Sequence, residues 1–196
     1  MDADKCRVLI KNFFETLYNR RKSIDEVLVK TAVIEDNELM WAEGCQPDKD
    51  GWVTWKLVPA QVSDKEIEEL EEEIGAKLPQ VLKIFLTTYF HYFYEEIGEN
   101  PVNEKFEGFL SAWNPTLVDN GYLPFAWDKD GYYIRCIDLK AMPEEEKCPI
   151  VQIDHEILFD LDEDITGRAE LEEEMQIVAE NFFQYLELIL EDTSKK

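Results

Sequence analysis

The sequence is poor in the residues from which metal sites and catalytic sites are usually assembled. It contains two histidines, His91 and His155, and four cysteines that stand far apart without a C-x-x-C pair. A structural zinc site needs four such ligands, and a disulfide framework uses a pattern of spaced cysteines. The sequence also lacks the motifs of a nucleophile elbow, a phosphate-binding loop, a dinucleotide-binding turn and a zinc protease. We therefore predict a protein with no metal, no cofactor and no catalytic residue, that is, not an enzyme.

Positive charge and long apolar runs are also scarce. The chain has 20 basic residues against 44 acidic residues, which gives a formal net charge of −24. A surface of this sign repels phosphate, so nucleic acid is not expected to be a direct partner. No uncharged apolar stretch approaches the roughly 18 residues that a membrane span requires, and the amino terminus lacks the basic and apolar regions of a secretory signal. We predict a cytoplasmic protein that does not bind membranes.

The sequence does have enough apolar residues to form a folded core. They make up 45% of its 196 residues, and several stretches have the 3, 4 spacing of an amphipathic helix. In one of these stretches, Ser63 and Glu66 have the form of a capping box, and Gly75 suits a left-handed helix end. The predicted helices cover residues 6–18, 64–74, 79–93 and 169–190.

Shorter apolar and aromatic runs between these helices predict strands. The predicted strands cover residues 38–44, 52–58, 122–127, 132–139, 150–154 and 157–159. We expect the first two to form a hairpin, and a D-G pair ending at Gly131 to close a second hairpin. Trp52 and Trp55 are three residues apart, so they cannot both face the same side of a regular strand, and one should be exposed. Strands without regular βαβ alternation predict an α+β fold.

The tryptophans suggest a second use for aromatic side chains, because tryptophan often anchors protein interfaces. We expect core packing for most of them. The five are Trp41, Trp52, Trp55, Trp113 and Trp127.

The helix at residues 64–74 carries far more acid than helical packing needs. Its polar side includes Glu66 and Glu71 as well as four further glutamates. We predict that these four bind a partner: Glu68, Glu69, Glu72 and Glu73. A hydrated face with no specific role is the alternative, and an acid and base pair of the glycosidase kind is a weaker one, because a catalytic acid must be partly desolvated.

A second acidic stretch resembles the start of a calcium loop, since alternate oxygens could converge on a cation. The rest of that pattern fails, because Ile165 occupies the position of the turning glycine and Leu171 that of the bidentate glutamate. We therefore read it as a solvated acidic loop that also contributes to partner binding. Its partner-binding residues are predicted to be Asp160, Asp162, Glu163 and Asp164.

The order of these features resembles the SUKH superfamily of Smi/Knr type. Three groups of residues carry the likeness, over about residues 59–192. The first is a capped helix with I-x-x-L-E, a glycine and an L-P step, formed by Ser63, Ile67, Leu70, Glu71, Ile74, Gly75, Leu78, Pro79 and Phe85. The second is the hairpin of Tyr122, Leu123, Pro124, Phe125 and Ala126 with Asp128, Gly131 and Asp138. The third is a closing segment with Val178, Ala179, Asn181, Phe182 and Leu186.

The resemblance implies a non-catalytic α+β module with helices packed on a mixed, mostly antiparallel sheet. It divides the chain into an N-terminal helix and hairpin extension packed on the core (1–58), the SUKH-like core (59–192) and a disordered tail (193–196). Family members act as immunity proteins against toxins of bacterial polymorphic or contact-dependent systems, and some eukaryotic relatives regulate cell-wall synthesis. The extension departs from the family pattern. Its added helix and hairpin could cover or replace the surface that binds the partner.

These observations favour a protein-binding module that neutralises a cognate toxin by stoichiometric binding. The expected partner is a basic protein domain, with a nuclease as one candidate, since a nuclease must attract phosphate and an acidic surface can occupy the same field. One alternative is an intracellular scaffold or a regulator of cell-wall synthesis that uses the same module. A hydrolase with paired acids is another, which a buried, close carboxylate pair in a deep pocket would indicate.

Overall fold

The computed structural model describes residues 2–94, 96–161 and 167–194. Over these residues helices pack against antiparallel strands, which confirms the predicted α+β class. The helices are α1 (Ala3–Ile24), α2 (Asp64–Ile74), α3 (Gln80–Leu86), α4 (Glu107–Leu110), α5 (Pro115–Asp119), α6 (His155–Leu161), α7 (Arg168–Glu174) and α8 (Phe182–Thr193). The strands are β1 (Lys30–Ala32), β2 (Trp52–Thr54), β3 (Val58–Pro59), β4 (Tyr89–Phe90), β5 (Tyr122–Trp127), β6 (Tyr133–Asp138), β7 (Ile150–Asp154) and β8 (Gln176–Ala179). Short 3-10 helices occur at Glu26–Val29, Glu38–Met40, Leu139–Ala141 and Glu145–Lys147.

The main sheet has the order β5-β6-β7-β8, and each neighbouring pair is antiparallel. Side chains alternate between its two faces, as the strand period of two requires. On β6, Ile137 packs into the larger core, whereas Ile134 and Cys136 pack into a smaller core on the opposite face. The sheet therefore separates two apolar layers, and its strand and hairpin positions over β5, β6 and β7 confirm the prediction.

The larger core joins the N-terminal helix to the sheet and to the last helix. The ring of Phe14 on α1 stacks on Phe85 of α3 with 4.9 Å between ring centroids, and Phe85 meets Phe182 of α8 at 5.4 Å. All three rings are buried. Burial of each such side chain contributes about 2 kcal/mol, so α1 is an integral part of this core.

The prediction of a hairpin between residues 38–44 and 52–58 is wrong, because the first of these segments is not a strand. Residues 52–54 do form β2, but β2 pairs with β1, and the 38–44 segment contributes only an isolated bridge between Trp41 and Trp55. The buried Asn37 explains the difference, because its side chain donates to the carbonyl of Ala32 at 3.0 Å and accepts from the Trp41 indole at 2.8 Å. These local hydrogen bonds favour a 3-10 turn over a strand.

The two tryptophans of this region separate as predicted. Trp55 is 1% exposed and packs in the larger core, whereas Trp52 is 47% exposed. The expectation that one of them faces solvent is confirmed.

Two predicted helices are shorter than the sequence pattern suggests. The helix expected over 79–93 ends at Leu86, and Tyr89–Phe90 forms β4 beside β3. The hydroxyls of Thr87 and Thr88 bond back to carbonyls of the last turn at 2.7 and 2.6 Å, which competes with a continuing helix.

The helix expected over 169–190 is divided into α7, β8 and α8. Strand β8 joins the edge of β7, and Asn181 caps α8 by accepting from the amide of Gln184 at 3.0 Å. The predicted strand at 157–159 is also wrong, since these residues lie in α6. Asp154 accepts the amide of Glu156 at 2.9 Å, and this hydrogen bond favours the start of a helix.

His91 lies in the larger core beside a second buried polar residue, Asn100. The two residues exchange backbone hydrogen bonds of 2.9 and 3.0 Å, and the Asn100 side chain donates to Leu86 and accepts from Phe106. The His91 ring packs 4.8 Å from Phe14. Burial, and to a smaller extent the charge of Arg21, lower the pKa of His91 to about 3. This histidine is a neutral core residue.

We predict that the His91 ring stays neutral down to about pH 3 while the protein is folded. The unfolded chain binds a proton at this ring near pH 6.5, so His91 contributes stability above that pH, and the contribution is lost as the pH falls from about 6.5 to about 3. The protonation of His91 is followed by NMR, from the chemical shifts of the histidine ring protons between pH 8 and pH 5. The other histidine signal in the spectrum is that of His155. A His91 resonance that titrates near 6.5 in the folded protein would contradict the prediction.

Candidate protein-binding surface

Helix α2 is fixed at both ends by its own sequence. The Glu66 carboxylate accepts from the Ser63 amide at 2.7 Å, and the Ser63 hydroxyl accepts from the Glu66 amide at 3.3 Å, which is the predicted capping box. Gly75 ends the helix with a φ of 74°, in the left-handed region that favours glycine. Ile67, Leu70 and Ile74 are buried in the larger core, so the opposite side of the helix faces outward.

Glu71 does not belong to that outer face, although the sequence places it among the other glutamates. Its side chain is 3% exposed, and one oxygen accepts from the Leu78 amide at 2.9 Å and from Lys83 at 2.7 Å. The other oxygen accepts from Lys77 at 2.7 Å. Burial opposes the charge, but the hydrogen bonds from Lys77, Lys83 and Leu78 outweigh it and lower the pKa of Glu71 to about 2.

Glu66 is also used by the fold. Beyond its part in the capping box, it accepts from Lys105 at 2.6 Å. The hydrogen bonds from Lys105 and Ser63 lower the pKa of Glu66 to about 2. Two of the six α2 glutamates therefore have partners within the fold. The sequence pattern indicates the capping partner of Glu66, but it does not indicate the partners of Glu71.

The remaining four glutamates are exposed together on the outer side of α2. They are the predicted partner-binding residues Glu68, Glu69, Glu72 and Glu73. Glu69 pairs with Lys65 one turn earlier, in a contact between two exposed side chains that contributes little stability. Among the described residues, the carboxylates of the other three form no ion pair. The structure thus brings four predicted site residues onto one rigid helical face, which we call the α2 acidic face.

The second predicted stretch is only partly described. Asp160 lies in α6, whereas Asp162, Glu163 and Asp164 lie outside the described residues. Within the described part of the chain, no group of three or more His, Cys, Asp or Glu side chains is placed to hold a metal ion.

A further exposed surface lies at the end of the β5–β6 hairpin, and it contains none of the predicted partner-binding residues. The rings of Trp127 and Tyr132 flank His155, with centroids 5.7 and 6.3 Å from it. Tyr132 is 56% exposed, and Trp127 is partly buried against the smaller core. We call these three residues the aromatic tip. Its only signal in the sequence was the presence of tryptophan, which by itself does not distinguish a core residue from an interface residue.

Two indole hydrogen bonds connect this region to α2. The Trp127 indole donates to the carbonyl of Ser111 at 3.1 Å. Two residues further on, the indole of Trp113, which is 40% exposed, donates to the carbonyl of Ile74 at 3.2 Å, at the last residue of α2. A short chain of direct contacts therefore leads from the C-terminal end of α2 to the aromatic tip.

A cavity of about 200 Å³ beside α8 bears on the hydrolase alternative. Glu96 and Asp192 both line it, and burial raises the pKa of Glu96. Asp192 is exposed, however, and the cations Arg21 and Lys129 line the same cavity. The cavity therefore holds acidic and basic side chains together, and one of its two carboxylates is exposed. A hydrolase with paired acids would instead need two buried carboxylates close together.

Each helix in residues 2–94, 96–161 and 167–194 is too short or too polar to cross a membrane. The sequence profile of the SMI1 / KNR4 family (SUKH-1) matches residues 61–188, which is more than half of the chain. No curated protein and no solved structure was found to match the chain.

We predict that Glu71→Ala lowers the free energy of unfolding by about 2 kcal/mol, because it leaves the buried Leu78 amide without its acceptor and removes the partner of the partly exposed Lys83. Urea unfolding measures this loss. The matched control is Glu72→Ala, one residue away on the exposed side, which is expected to unfold at the wild-type midpoint. Equal midpoints for the two variants would show that the buried carboxylate does not hold the fold.

The same carboxylate gives a pH dependence with a definite sign. The folded pKa of Glu71 is about 2, below the ordinary value of 4.5, so its contribution is present above about pH 4.5 and is lost as the pH falls toward 2. We expect the stability of Glu71→Gln to change less than that of the wild type across this window. The measurement is urea unfolding at pH 5 and pH 3, and parallel losses in the two proteins would be the contrary result.

Proposed function

The chain belongs to the SMI1/KNR4 (SUKH-1) family, and from this membership we propose that it is a protein-binding module that acts without catalysis. Its proposed role is that of a bacterial immunity protein. It would neutralise a cognate polymorphic or contact-dependent toxin in the cytoplasm by binding it with defined stoichiometry. The proposed partner is a basic toxin domain, with a nuclease as one candidate.

The observation that carries this proposal is the α2 acidic face. Glu66 and Glu71 are held by hydrogen bonds within the fold, whereas the four outer glutamates are exposed, and in the described part of the chain their one ion pair is that of Glu69 with the exposed Lys65. Like charges at neighbouring positions on a helix repel each other mildly, so the sequence tolerates a small cost at this face. An acidic face of this kind is complementary in charge to a basic partner, and such complementarity speeds encounter and favours the right partner.

The net charge of −24 supports the same reading. It creates a negative potential around the protein, which raises the rate of encounter with a basic partner and lowers the rate with nucleic acid. A nuclease must hold phosphates with a basic surface, and carboxylates on a rigid helix can compete for that surface. Binding of this kind depends on ionic strength, since salt shortens the range of the attraction.

We predict that the chain protects cells when it is co-expressed with a toxin domain encoded by a neighbouring gene. Association with that domain is expected to slow at least about tenfold between 50 and 500 mM salt, over which the screening length shortens about threefold. Replacing Glu68, Glu69, Glu72 and Glu73 together by Gln is expected to slow association at low salt and to flatten its salt dependence. Stopped-flow mixing measures the rates, and growth measures the protection.

The matched control removes the same number of charges from another exposed region, the segment between α1 and β2. It replaces Glu26, Glu35, Glu38 and Glu43 by Gln, which gives the same net charge. We expect this variant to associate close to the wild-type rate. Equal slowing in both variants would refute the role of the α2 acidic face, and a lack of growth protection by the wild-type chain would refute the proposed function.

A further inference from the structure

The aromatic tip presents its side chains in a fixed arrangement. The Asp128 carboxylate accepts from the amides of Tyr132 and Tyr133 at 2.7 and 2.9 Å, which holds the turn of the β5–β6 hairpin. His155 Nδ1 lies 2.8 Å from the carbonyl oxygen of Tyr132, and the Trp127 indole is bonded to Ser111. These contacts hold the exposed ring of Tyr132 and the partly exposed indole of Trp127 against the same imidazole, so a ligand can stack there without first ordering the loop.

The charges around the aromatic tip are mostly negative. Asp130 and Glu156 are exposed, and Asp128 and Asp154 are half-buried. The Asp154 carboxylate lies 3.9 Å from His155 Nδ1. The one basic residue of the turn, Lys129, lines the cavity beside α8.

Aromatic faces with acids at their edge match the chemistry of a guanidinium group. Arginine is planar and weakly hydrated, it stacks on aromatic rings, and its fork of N–H groups fits carboxylates. Lysine carries the same charge but is a strongly hydrated point charge, so it gains less from such a surface. The complementary ligand is therefore an arginine side chain.

We propose that the aromatic tip docks an arginine side chain presented by a protein partner. This inference rests on the proposed function, because it names the contact through which a basic partner would be held. The contacts through Ser111 and Trp113 connect this docking site to the C-terminal end of α2.

The test is an NMR titration of the full chain with two short peptides, acetyl-Gly-Arg-Gly-Arg-Gly-amide and its lysine counterpart. They have equal length and charge, so non-specific attraction to an acidic protein is the same for both. We expect the arginine peptide to shift the ring signals of Trp127, Tyr132 and His155, and to bind about threefold more tightly than the lysine peptide.

Variants of exposed tyrosines supply the controls. Tyr132→Ala is expected to abolish the preference for arginine, and Tyr132→Phe to retain it, because the ring face and not the hydroxyl makes the contact. Tyr94 is 64% exposed and lies outside the aromatic tip, so Tyr94→Ala is expected to bind like the wild type. Because Tyr132 and Tyr94 are exposed, both alanine variants should keep the wild-type amide spectrum.

Equal binding of the two peptides, shifts confined to the α2 acidic face, or an unchanged preference in Tyr132→Ala would overturn the proposal. These results are independent of the toxin. Growth protection together with a failed titration would reject only the docking site, whereas a successful titration without growth protection would reject only the proposed function.

Discussion

The structure depends on one buried carboxylate, that of Glu71. It joins α2 to the loop that leads into α3, because it accepts from the Leu78 amide and from a lysine of α3, Lys83. A second carboxylate, that of Glu145, completes the same corner from a distant part of the chain by accepting the amides of Gln80 and Val81 at 2.6 and 3.0 Å. An ionised group is costly to bury unless its hydrogen bonds are satisfied, so the contacts of Glu71, together with the burial of Ile67, Leu70 and Ile74, fix the rotation of α2. That rotation decides which glutamates face outward.

Local signals were sufficient to predict the elements that later present the surface. The capping box, the left-handed glycine and the three apolar residues of α2 all lie within thirteen consecutive residues, and each acts through neighbours in the chain. The β5–β6 hairpin was predicted for the same reason. The helical period places Glu71 on the buried side, four residues after Ile67 and three before Ile74, but it does not indicate the lysines that pair with the carboxylate, Lys77 in the following loop and Lys83 in α3. The family motif I-x-x-L-E also sets Glu71 apart from the neighbouring glutamates.

In the longer elements, tertiary pairing overrides the local periodicity that predicts a single helix. The apolar residues of 169–190 suit a single helix, but residues 176–179 gain strand hydrogen bonds by joining the edge of β7. The aromatic tip also depends on strand pairing, so the local sequence does not indicate it. Its members are 5 and 23 residues apart in the chain, and the pairing of Tyr133 with Asp154 brings Tyr132 and His155 together. A contact that depends on strand register has no local signature.

The acids of α2 fall into two groups, those with hydrogen-bond partners in the fold and those that face solvent. The second group forms the α2 acidic face, for which we propose a role in partner binding. A large net charge of one sign destabilises a compact state by self-repulsion, and the exposed glutamates of α2 add to that charge. Charge acts over about one screening length, roughly 8 Å at physiological salt, whereas stacking acts only on contact. The α2 acidic face would therefore govern the rate of encounter, and the aromatic tip the lifetime of the complex. Since hydrogen bonds hold the backbone under both surfaces before the partner arrives, binding need not order that backbone, and more of the contact energy remains as affinity.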